Sequence, residues 1–89
     1  MPWTIDKSKA TFSTVTKSEQ EKWDTFQNAI QNQGMHPKEA AELIGDSKYT
    51  KLKGTDNQYE IRLSQGTRAT FLVEDTRQVV TIKQVGGHT

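Results

Sequence analysis

Three side chains late in the sequence are of types that could do chemistry on a phosphate, Arg62, Arg68 and His88, and the remaining arginine, Arg77, lies in the same half. A guanidinium group presents a planar, permanently charged donor fork that fits a phosphate, and an imidazole exchanges a proton near neutral pH. Lys51 and Lys53, on either side of Leu52, and Lys83 in the last apolar run add further cations. Each has a plainer explanation. Exposed lysines solubilise a loop, an alternating Glu60 and Arg62 make a solvated strand face, and a histidine beside a chain end frays with it. No cysteine is present, and His36 and His88 lie more than fifty residues apart. That spacing is poor for a metal centre, so the expected chemistry uses neither metal nor other cofactor.

The charge is unevenly placed. Residues 1–48 hold six lysines against seven acids, whereas residues 49–89 hold three lysines and three arginines against four acids. The net charge is only +1, which argues against nucleic-acid binding through bulk electrostatics alone. With 89 residues the chain has room for one domain (residues 1–89), and 31% hydrophobic content with a mean hydropathy of -0.84 leaves a thin core. No apolar run is long enough to span a membrane and the opening residues lack a signal-peptide profile, so a cytoplasmic location is expected.

The elements that must position the cations are legible from local pattern. Thr16 to Glu19 fits a capping box, and Trp23, Phe26, Ala29 and Ile30 follow on one helical stripe ending near Gly34. Pro37 and the run from Glu39 to Ile44 predict a second short helix, stopped by Gly45, and so a helical hairpin. After Gly54 the period becomes two. Residues 58–63, 68–73 and 78–85 read as an antiparallel meander, with Tyr59, Ile61 and Leu63 on the core face. Earlier, residues 3–5 or 11–15 could each form a strand, and local pattern does not decide between them. The fold class is α+β, an N-terminal helical hairpin on a small antiparallel sheet, with the other sheet face open. On that face the alternation gathers Glu60, Arg62, Arg68, Thr70, Thr81 and Lys83, while Leu52 plugs the core.

In order and spacing, four stretches resemble the RelE/ParE toxin superfamily, particularly its RelE-like and HigB-like ribonucleases. They are Lys51-Leu52-Lys53-Gly54, Tyr59-Glu60-Ile61-Arg62-Leu63, Arg68 opening a strand that carries Phe71, and Val85-Gly86-Gly87-His88. The resemblance covers the second half strongly and the helical half by architecture. It implies the toxin of a bacterial toxin–antitoxin pair, cutting messenger RNA without a metal, usually on the ribosome, and held in check by a cognate antitoxin. Cleavage by the RNA's own 2′-hydroxyl needs a base, an acid for the departing 5′-oxygen, and donors for the phosphoryl charge. The resemblance assigns these roles to His88 as acid or base and to Arg62 and Arg68 as the phosphate clamp, with Lys51, Lys53 and Lys83 on the RNA backbone. Family members commonly continue past this histidine with a Tyr-bearing tail or a final helix, and this sequence stops at Thr89.

Other functions fit the same scaffold. A ParE-like gyrase inhibitor, a binding module without catalysis, and a plain structural domain each remain open at this point.

Overall fold

The computed structural model describes residues 3–45, 48–54, 57–64 and 66–87. In chain order the elements are β1 (Thr4–Asp6), β2 (Thr11–Phe12), α1 (Lys17–Gln33), α2 (Pro37–Glu42), β3 (Thr50–Lys51), β4 (Gln58–Arg62), β5 (Arg68–Glu74) and β6 (Val79–Gly87). They form one six-stranded sheet in the order β1-β6-β5-β4-β3, with β2 also on β6. The fold is α+β, as the sequence pattern requires.

Helix α1 forms where its ends are satisfied. Thr16 accepts from the Glu19 amide and Glu19 accepts from the Thr16 amide, completing the capping box. At the other end Gly34 turns left-handed (φ 68°), and its N–H closes on the Ala29 and Ile30 carbonyls. The predicted stripe of Trp23, Phe26, Ala29 and Ile30 is fully buried, with the Phe26 ring 5.3 Å from that of Phe71 on β5. Helix α2 begins on Pro37, with His36 Nδ1 accepting from the Lys38 amide as its cap. Ala40 and Ala41 join the same core as Ile61, Ala69, Phe71, Val80 and Ile82. Both helices therefore bury their apolar sides on one sheet face. No helix is long and apolar enough to cross a membrane among the described residues.

The meander is present and antiparallel: β4 pairs β5, and β5 pairs β6. Strand β5 shows the clean alternation of a sheet with one wet face, Ala69, Phe71 and Val73 buried and Arg68, Thr70, Leu72 and Glu74 half-buried. Three features depart from expectation. Both opening segments pair, β1 and β2 each running parallel to β6, so the sheet is mixed rather than wholly antiparallel. Leu52 is only half-buried and does not plug the core, because it follows the two-residue edge strand β3. The third departure concerns Lys83. Phe71 pairs Ile82 and Thr70 pairs Gln84, which leaves Lys83 as the extra residue of a bulge. Gln84 is therefore the register partner of Thr70, and Lys83 has none on β5. The bulge re-phases β6, so that its buried residues fall at Val80, Ile82 and Val85.

Candidate functional site

The open face is built from the wet parities of β3, β4 and β5. Thr50 pairs Glu60, Glu60 pairs Thr70, and Arg62 lies directly across from Arg68. Two arginines face to face cost stability unless something offsets their charge. Glu60 supplies part of that offset from the diagonal position, its two carboxylate oxygens accepting from Arg68 Nη1 at 3.0 and 2.8 Å. The pair is sheltered, with side-chain exposures of 28% for Arg68 and 13% for Glu60. Sheltered ion pairs are screened less than surface ones, so this contact holds the guanidinium in place.

Around the pair lies a solvent-open hollow of about 130 Å³, lined by Lys48, Thr50, Glu60, Arg62 and Arg68. That is well below the roughly 300–1,000 Å³ of a small-molecule pocket. It suits a single charged group, with Lys48, Arg62 and Arg68 opposed by one carboxylate. Arg62 has no acceptor among the described residues, and Arg68 Nε is buried without a hydrogen-bond partner. The hollow therefore holds positive charge and donor capacity that the described residues do not use.

A second carboxylate fixes the turn between the two arginines. Glu19, 8% exposed at the start of α1, accepts from the Ser64 hydroxyl as well as from the Thr16 amide. Its pKa is held down to about 2 by the Ser64 hydroxyl first, then the Thr16 amide and the Thr67 hydroxyl. Leu63 and Ser64 amides both donate to the Thr67 carbonyl, closing the turn. Glu19 thus anchors the hairpin on which Arg62 and Arg68 sit to the helical layer.

The structure brings Arg62 and Arg68 together, and among the described residues Lys51, Lys53 and Lys83 do not line the hollow with them. Lys51 pairs Tyr59, which puts it on the helix-side parity of the edge strand, and Lys53 is exposed in the turn that follows. Lys83 is exposed at the bulge. His88 lies outside the described residues; Gly87, which precedes it, is the register partner of Arg68. Arg77 is tied to Glu74 at 3.3 Å in the β5–β6 turn, away from the hollow. Tyr59 stacks on Tyr49 at 4.9 Å on the core side, and burial raises the Tyr49 phenol above its ordinary pKa. Sequence reasoning missed Lys48. It reaches the hollow from an irregular segment with φ 50°, a conformation that lysine seldom adopts and no local pattern announces.

No protein-family model matches this chain, and no curated protein does. Among solved structures, that of the YoeB dimer from Staphylococcus aureus is similar to it, with 20% sequence identity, 100% of each chain covered and a TM-score of 0.48.

Proposed function

We propose that this chain is the toxin of a bacterial toxin–antitoxin pair, a metal-independent endoribonuclease that grips messenger RNA on the ribosome with its open sheet face. The observation that supports this most is the direct opposition of Arg62 and Arg68 on an uncovered face, with Lys48 beside them. Two guanidinium forks at one point match the oxygens of a phosphodiester, and their charge is worth most where negative charge grows during cleavage. In this reading Arg62 and Arg68 hold the scissile phosphate. His88 exchanges the proton with the 2′-hydroxyl or the 5′-oxygen, and Lys51, Lys53 and Lys83 meet the backbone on either side. The antitoxin would present carboxylates to the same arginines and remove the charge that RNA needs.

The test is induction of the chain in bacteria, with growth and primer extension on a reporter messenger RNA read together. Wild type should arrest growth and create new RNA ends, and Arg62→Ala with Arg68→Ala, or His88→Ala, should abolish both while the protein stays folded. Toxicity retained in the folded arginine double variant would sink the assigned site. Arrest with intact RNA would favour gyrase inhibition. The Glu60–Arg68 pair favours one further reading, a binding module without catalysis, because it neutralises half of the clamp. RNA binding without arrest or cleavage would establish that reading instead.

A further inference from the structure

We infer that Glu60 is a built-in occupant of the phosphate seat at Arg68, a carboxylate that an incoming phosphoryl group must displace and that sets how tightly the open face binds. The inference rests on the phosphate-binding reading of that face. Its basis is the geometry of the pair. A fully matched arginine–carboxylate pair joins two nitrogens to two oxygens, fork to fork. Here both carboxylate oxygens accept from the single Nη1, and Arg68 Nε is left buried with no partner. Glu60 therefore neutralises the charge without using the donor fork.

A phosphoryl group has three features that Glu60 lacks. It carries more acceptor oxygens, its geometry matches two guanidinium nitrogens at once, and it can also accept from Arg62 across the strand pair. Lys48 and Thr50 line the same hollow and offer further donors. Displacement is thus an exchange of a poorly matched anion for a better one. The carboxylate raises the threshold for binding, so weak anions are turned away while a polyanion such as RNA is accepted. It also spares the folded protein two uncompensated arginines in opposition.

Glu60→Gln removes the charge and keeps the shape. Titrations of wild type and E60Q with inorganic phosphate and with a short single-stranded RNA, followed by NMR of the arginine Nε–H signals and by fluorescence anisotropy, test the inference. E60Q should bind roughly fivefold more tightly, the bulk-water effect of one unit charge removed from about 4 Å. Its RNA affinity should fall more steeply with salt, by about 0.7 in log–log slope for the additional unpaired cation. A merely structural role for Glu60 would leave that slope unmoved. Equal or weaker binding by folded E60Q would overturn the inference. Tighter inorganic phosphate with no RNA binding in either protein would support Glu60 as occupant while sinking the ribonuclease reading. No binding of either probe by either protein would sink both. Where E60Q fails to fold by circular dichroism, Glu60→Thr, matching its neighbour Thr70, takes its place under the same criteria.

Discussion

Glu19 shows how one carboxylate in the first turn of a helix ties down the turn between two strands further along the chain. Its folded pKa of about 2 lies below the ordinary value of 4.5, so the unfolded chain binds the proton more readily. The stability this contributes is complete above about pH 4.5 and is lost as pH falls toward 2. Thermal melts of wild type across that window should show a falling midpoint, and Glu19→Gln should start lower and change less. Identical pH profiles for the two proteins would show that Glu19 does not anchor the turn. At this scale the sequence was partly readable. Period-two alternation put Arg62 and Arg68 on one face because both strands are regular there. The place of Lys83 in a bulge was not legible because alternation does not show an extra residue, and Lys48 was missed because its backbone is irregular.

The elements differ in how much of their cause is local. Helix α1 was readable from end to end because its cap, its buried stripe and its terminal glycine all lie within its own residues. Strands β1 and β2 have three and two residues, and their pairing is decided by β6, more than seventy residues further along. Where β2 meets the end of β6, Gly86 has φ 92°, and a Cβ there would stand 2.7 Å from Val15 Cγ1 and 3.1 Å from the Ser13 carbonyl oxygen. Backbone strain and overpacking then act together. Gly86→Ala should cost about 1–3 kcal/mol in denaturant unfolding, with the slope of the transition unchanged. A loss below a few tenths would mean that the 13–15 segment moves aside freely.

The whole molecule is nearly neutral, with the cations that matter gathered at one place. If Lys48, Arg62 and Arg68 make the phosphate contacts, log affinity for single-stranded RNA should fall with log salt at a slope no steeper than about −2. A slope near −4 in an anisotropy titration would bring in Lys51, Lys53 and Lys83 as the sequence-based assignment supposes. The fold class was legible because layer architecture follows from periodicity, whereas the mixed sheet was not, because parallel pairing leaves no short-range mark.

That parallel pairing also orders events during synthesis. Thr4, Ile5 and Asp6 find their partners at Val79, Val80 and Thr81, so β1 waits for a strand more than seventy residues further along. The β4–β5 pairing of the hairpin bearing Arg62 and Arg68 is local in sequence and can form while β6 is still being built. Closure of the sheet carries a large loop-entropy cost and comes late, which makes the topology one of high contact order and slow folding. A nascent chain halted before Val79 therefore lacks the β6 pairing of the strand that carries Arg68, and the core is completed only once β6 has been made.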